Sequence, residues 1–260
     1  KNIISDELSF ILQTDVGRLD SGVSDDRWTV YLKKAQLNWR VKKGFKISMG
    51  MIGLNMFNVQ EKTWGHRFVE KSALDLAGWS SSADLGFGIT KKITDNLSGS
   101  FLITNGEGYK ESDNDNYEKL SFQILYGKKH LGKKDGFNAG IVFSKLDNDQ
   151  NNSTTVEELN TETVKGFFGG WAGKGLRVGF ENHLRDYDAF NQSEGEVGKL
   201  SSMYFNYDIN MHSTVFVRFD SEDPNEDIND NEESTLIAGY IWNPTKGLSI
   251  CPNITKTTKW

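Results

Sequence analysis

Hydrophobic and polar residues alternate along nearly the whole chain, with period two rather than the period near 3.6 of an amphipathic helix. In SSADLGFGITKKI, Ala83, Leu85, Phe87 and Ile89 alternate with Asp84, Gly86, Gly88, Thr90 and Lys92. The same division runs through LSFQILYG, with Leu120, Phe122, Ile124 and Tyr126 on one side, and through FNAGIVFSK, with Phe137, Ala139, Ile141 and Phe143. In LRVGFENHLR, Leu176, Val178, Phe180 and Leu184 oppose Arg177, Gly179, Glu181, His183 and Arg185. The pattern predicts about thirteen strands of roughly ten residues each. In GFFGGWAG the register stays open, because apolar or tiny residues occupy both faces.

The connections alternate as regularly as the strands. Short links at VKKGF, ITDNL, AGKGL, INMHS and NPTKGL, with a longer GKKHLGKKDG, are separated by long ones such as FNVQEKTWGHRFVEKSALDLAG, GEGYKESDNDNYEK and SEDPNEDINDNEES. In an up-and-down antiparallel sheet this gathers the short turns at one end and the long loops at the other. Bacterial outer-membrane barrels have that asymmetry, with strands of alternating apolar-out and polar-in residues. Charge follows the division. Long loops carry acidic runs (Glu222, Asp223, Glu226, Asp227, Asp230, Glu232, Glu233), and short turns carry Lys42, Lys43, Lys128, Lys129, Lys133 and Lys134. The expectation is an all-β, antiparallel, up-and-down transmembrane β-barrel forming a single domain over residues 1–260. An odd strand count does not close a single-chain bacterial barrel, so 14 to 16 strands are expected in the complete protein. A closing strand after Trp260 and a hairpin before Lys1 are the expected additions.

Composition narrows the alternatives. The chain of 260 residues is 37% hydrophobic, with 26 Gly, 16 Phe, 8 Tyr, 7 Trp and only 3 Pro. Its apolar runs fall far below the 18 or more residues of a spanning helix, which excludes a helical membrane protein. The opening KNIISDELSF lacks a basic stretch followed by an apolar one, so no secretory signal is visible in it. A single cysteine, Cys251, excludes an internal disulfide and any multi-thiolate metal site. Net charge of −6 argues against general nucleic-acid affinity.

Three stretches, taken in order, carry a family resemblance: KISMGMIGLNMFNVQEKTWGHRFVEKSALDLAGWSSSADLGFGI, NGEGYK at Asn105–Lys110, and YIWNPTKGLSICPN at Tyr240–Asn253. They resemble bacterial outer-membrane porins related to the phosphate-selective porin group. The resemblance implies a 16-stranded, commonly trimeric barrel in the bacterial outer membrane, surrounded by lipid and lipopolysaccharide and passing small solutes, with a lean toward anions such as phosphate.

A channel depends on the charges lining its constriction. Alternation assigns Lys34, Arg40, Lys46, Lys92, Arg177, Glu181, His183, Arg185, Arg218 and Asp220 to the lumen face, with Arg177, Arg185 and Arg218 foremost. Trp39, Phe87, Phe122, Tyr126, Phe143, Tyr240 and Trp242 fall on the lipid face. WGHRFVEK lies in the longest connection, on the long-loop side, where a constriction loop folds into a pore. Arg67, Glu70 and Lys71 are expected to line that constriction, with Trp64 and Phe68 anchoring the loop to the wall. No nucleophile-elbow spacing is present, His66, His130, His183 and His212 are scattered, and the acidic stretches DNDNYE and EDPNEDINDNEE do not complete a calcium-loop motif. No catalysis, cofactor or metal site is therefore expected. Two rivals remain at this point: a plugged, non-conducting barrel that serves as a structural or docking part of an envelope complex, and a soluble β-sandwich that binds carbohydrate.

Overall fold

β-Branched and aromatic residues at every second position suit a pleated surface with one apolar face, and the chain forms strands wherever that pattern runs. The computed structural model describes residues 2–17, 28–111, 117–149, 159–189 and 195–260. In chain order the elements are β1 (Asn2–Ile3), β2 (Leu8–Gly17), β3 (Thr29–Lys42), β4 (Phe45–Gly53), α1 (Gln60–Trp64), α2 (Ala73–Leu76), β5 (Ala83–Lys92), β6 (Leu97–Thr104), β7 (Lys119–Gly127) and β8 (Gly136–Asp149). They continue with β9 (Leu159–Gly173), β10 (Leu176–Asp188), β11 (Glu196–Asn210), β12 (Ser213–Asp223), β13 (Glu233–Thr245), β14 (Leu248–Ile250) and β15 (Asn253–Lys259). No helix among the described residues is long and apolar enough to cross a membrane, which says nothing of crossing by strands.

All fifteen strands belong to one sheet, paired in sequence order from β1 to β14, with β15 also on β13. Every ladder is antiparallel. The count exceeds the expected thirteen for two local reasons. The two residues of β1 form a stub beside β2. β14 and β15 are one strand in a single register, Trp242 opposite Ile250 and Gly239 opposite Asn253, interrupted at Pro252, which has no N–H to give to the ladder.

Connections 43–44, 93–96, 128–135, 174–175, 211–212 and 246–247 gather at one end of the sheet, and connections 54–82 and 224–232, with residues 105–111 and 117–118, at the other. One of the two-residue turns shows how such a hairpin closes. Lys174 and Gly175 take φ of 53° and 79°, the paired left-handed conformation whose twist matches the flanking strands.

The outer face carries the aromatic set expected there: Trp39, Phe87, Phe122, Tyr126, Phe143, Tyr240 and Trp242 are all exposed. GFFGGWAG resolves the same way, with Phe167 and Trp171 outward and Phe168 buried inward. The inner face is polar, with Asn38, Ser48, Ser121, Gln123, Asn138, Ser202 and Asn206 buried on it.

Segment 54–82 folds onto that inner face. Its Met56, Phe57, Val59, Ala73, Leu74 and Trp79 form a core with Leu125, Val142, Val164, Phe168 and Leu200 of β7, β8, β9 and β11. Trp64 joins a second cluster with Tyr204, Phe216, Ile237 and Ile241 of β11 to β13. On its other side the segment shares a cavity with Lys34, Lys46 and Leu102 of β3, β4 and β6. Both halves of the sheet therefore face one segment, which requires the sheet to curl around it as in a barrel.

Candidate functional site

α1 divides the interior. Its five residues place Glu61 and Lys62 on one side, together with Asn58 just before the helix, and Thr63 and Trp64 on the other. Gly65 ends the helix in the left-handed conformation, φ 79°, its N–H bonded to the Glu61 carbonyl at 2.8 Å. The wall side is fixed by hydrogen bonds as well as by packing. Asn138 Nδ2 donates to Thr63 Oγ1 at 3.1 Å, and Tyr204 Oη donates to the Gln60 carbonyl at 3.1 Å. Gly170 permits this approach, since a Cβ there would meet Thr63 Cγ2 at 2.8 Å.

Several charges expected to line a pore lie on this packed side. Arg218 is 1% exposed, grips Asp220 through two bonds of 2.6 and 2.8 Å, donates to the Lys71 carbonyl, and stands 5.3 Å from the Trp64 ring. Arg177 Nη2 donates to the Trp64 carbonyl at 3.2 Å and meets His66 Nε2 at 3.3 Å. Glu181 and His183 form a fully enclosed pair at 2.9 Å. Arg185 reaches Glu162 at 3.2 Å and lies 5.9 Å from the Trp79 ring. All these side chains point inward, as the alternation requires. Glu181, His183 and Arg218 are nevertheless enclosed beneath the segment, while Arg177 is half-buried and Asp220 also borders a cavity. The physical reason is pairing: a charge buried this deeply persists only with a partner that satisfies it.

The loop candidates separate in the same way. Trp64 is buried, donates from Nε1 to the Glu70 carbonyl at 3.0 Å, and packs edge-on against His66 and Phe216 at 5.0 and 5.6 Å. Phe68, expected to be a second anchor, is 63% exposed instead. His66 takes the place against Phe216 at 5.0 Å, leaving Phe68 against only the edge of His66. Burial, with Arg177 beside it, pushes the His66 imidazole down to about 4, so it is neutral at physiological pH. Arg67 is held by Glu61 and by Asp75 at 2.9 Å. Glu70 lines a separate acidic cavity of about 450 Å³ with Asp220, Glu222 and Glu233. The Lys71 side chain is exposed, and its carbonyl receives Arg218.

The other side of α1 is open. A cavity of about 370 Å³ lies between the segment and the wall of β2 to β6, lined by Lys33, Lys34, Lys46, Lys62, Arg67 and Lys129 against one carboxylate, Glu61. It reaches from Lys34 to Lys46, which pairs with Arg40 six residues further along β3. At about 3.3 Å per strand residue the cationic lining extends for roughly 20 Å along the wall. Arg40 and Lys92 sit beyond it, at the short-turn rim, where Lys92 meets Asp95 at 2.7 Å.

Three contributors escaped the alternation. Lys33 faces inward beside Lys34 because the β2–β3 register slips there: Gln13 pairs with Lys34 and Thr14 with Leu32, leaving Lys33 as the extra residue of a bulge. It bonds Asp15 at 2.8 Å and lies 4.9 Å from the Tyr109 ring. Lys62 comes from α1, and Lys129 from the β7–β8 turn, which folds inward so that Gly132 N–H reaches the Lys62 carbonyl at 3.3 Å. The basic character of that turn was visible in sequence, but its direction was not. Burial, reinforced by Lys129, lowers the Lys62 ammonium to about 7; Lys129, although exposed, is lowered to about 8 by desolvation from the protein around it with Lys46 nearby.

Among the described residues no group of three or more His, Cys, Asp or Glu side chains is placed to hold a metal. The acidic stretch DNDNYE falls largely outside the described residues, at positions 113–116.

No protein-family model matches the sequence, and no curated protein matches it. Solved structures do match in shape. OmpT, an outer-membrane protein of Vibrio cholerae, superposes in its in-vitro folded form with a TM-score of 0.68 at 11% identity, over 99% of this chain and 76% of that one. OmpF of Salmonella typhi in complex with daunomycin gives 0.68 at 10% identity, over 97% and 79%. An anion-selective porin from Comamonas acidovorans gives 0.63 at 9% identity, over 97% and 90%. At such identities the likeness carries the fold alone, and that fold is the outer-membrane β-barrel.

Proposed function

We propose that the chain is a porin of the bacterial outer membrane, conducting small hydrophilic solutes by passive diffusion and favouring anions. The observation that carries the reading is the cavity beside α1, where six basic side chains face one carboxylate. A constriction with cationic lining and low-dielectric walls concentrates anions and repels cations. The exposed aromatic and aliphatic outer face supports contact with lipid, where charged side chains are disfavoured by about 2–4 kcal/mol at mid-depth. The sequence resemblance to phosphate-selective porins points the same way, and one structural neighbour, the OmpT of Vibrio cholerae, is known in a trimer form. In this reading the chain assembles as a homotrimer, and the bulk of segment 54–82 narrows the lumen. The packing of that segment against β7 to β13 also favours the rival, a plugged barrel. Planar-bilayer recording separates them. Stepwise conductance with a reversal potential displaced toward the anion equilibrium is expected, and absence of conductance above background overturns the porin reading in favour of the plug.

A further inference from the structure

Building on the channel reading, we infer that Glu61 is a specificity-determining residue, a fixed counter-charge that competes with passing anions for the lysines of the filter and so speeds anion release. Conduction requires binding strong enough to admit an ion and weak enough to let it go. A cationic lining with no acid in it meets only the first condition.

Glu61 is the one carboxylate of that lining among the described residues, and the fold holds it in place. Its neighbour Gln60 is buried and receives Tyr204 Oη on its carbonyl at 3.1 Å, which keeps α1 from turning. Arg67 Nη1 donates to Glu61 Oε2 and, at 2.9 Å, to Asp75 Oδ2. Asp75 lies outside the cavity lining, and its place is set by Leu74, the fully buried residue before it in α2. One guanidinium thus serves two carboxylates, and the three side chains together carry one net negative charge. Glu61 is therefore neither cancelled by Arg67 nor free to collapse onto a lysine.

Its targets are Lys34 and Lys62, which face the cavity without an ion pair among the described residues. Glu61 is the strongest charged neighbour acting on Lys34. Lys62, lowered to about 7 by burial and then by Lys129, is raised in part by Glu61. An anion that meets either lysine works against this charge, and it leaves more readily because the lysine is answered again when it goes.

The test is Glu61→Gln on the full chain, a change that keeps the size of the side chain and an oxygen for Arg67. Conductance in planar bilayers is read across a series of KCl concentrations. Half-saturation is expected at about one third of the wild-type KCl concentration, the factor that one charge at roughly 7 Å in water applies to a mobile ion. Saturating conductance should fall and the anion-to-cation permeability ratio should rise. Asp75→Asn leaves Arg67 to Glu61 alone and should move the same quantities in the same direction, by less. Unchanged half-saturation, with or without a loss of unfolding stability, or a lower anion preference in either variant overturns the inference. A second readout needs no conduction: in detergent, the pH midpoint of Lys62 acetylation by limiting acetic anhydride, followed by mass spectrometry, should fall in Glu61→Gln. A lower midpoint with no conductance in bilayers overturns the channel reading and leaves the charge relation standing, whereas an unchanged midpoint overturns the counter-charge itself.

Discussion

The two sides of segment 54–82 meet the same kind of wall, strands whose inward residues are polar or basic, yet those residues take opposite roles. Against β7 to β13 the segment lays down Met56, Val59, Trp64, Leu74 and Trp79, and basic wall residues are tied to it or to a neighbour: Arg218 on Asp220, Arg177 on the Trp64 carbonyl and His183 on Glu181. An acidic cavity is left at Asp220, Glu222 and Glu233. Against β2 to β6 it presents Asn58, Glu61, Lys62 and Arg67, and Lys34 and Lys46 face a cavity. In the proposed reading an inward-pointing charge acts as a structural clamp where the segment encloses it and as part of a filter where it faces the basic cavity. Inward orientation alone does not make a pore residue.

Changes on the packed side should have large effects on stability and little on selectivity. Arg218→Met leaves Asp220 buried without its partner, and unfolding in detergent should show a loss of about 3–5 kcal/mol. Leu74→Ala, at a position with no exposure, should lose about 3 kcal/mol through the cavity it leaves. In both variants the channels that do form should keep the sign of their reversal potential. A reversed sign would mean that the packed side belongs to the filter after all.

Changes on the open side should do the opposite. Lys62 is lowered to about 7 by burial and Lys129 to about 8 by desolvation with Lys46 nearby, so each is charged below its value and neutral above it. Anion preference should therefore be greatest at about pH 6 and decline as pH rises to about 9, read as reversal potential in a fixed salt gradient. A flat profile removes Lys62 and Lys129 from the filter. The smallest effect belongs to the rim: Lys92→Ala breaks an exposed pair with Asp95 and should move neither unfolding nor reversal potential measurably.

The sheet was legible in sequence because period-two patterning and Gly-containing short turns are local signals, and strands, turns and the aromatic outer face followed from them. Pro252 and the β1 stub altered the count without altering the order. The inward fold of the longest connection was legible from its length and its aromatic residues. What stayed hidden was set by non-local contacts. A one-residue slip opposite Gln13 brought Lys33 inward, and no alternation scheme registers such a slip. The direction of the β7–β8 turn, which delivers Lys129, depends on α1 lying beneath it. The exposure of Phe68 likewise depends on His66 having taken the place against Phe216.

The most direct measurement is the reversal potential of the wild type and of the Lys34→Gln, Lys62→Gln, Lys129→Gln triple variant, recorded in planar bilayers under one KCl gradient at about pH 6, where all three lysines are charged. The wild type should be anion-selective and the triple variant close to non-selective, with unfolding stability nearly unchanged. A triple variant as anion-selective as the wild type would contradict the assignment of the filter to this cavity.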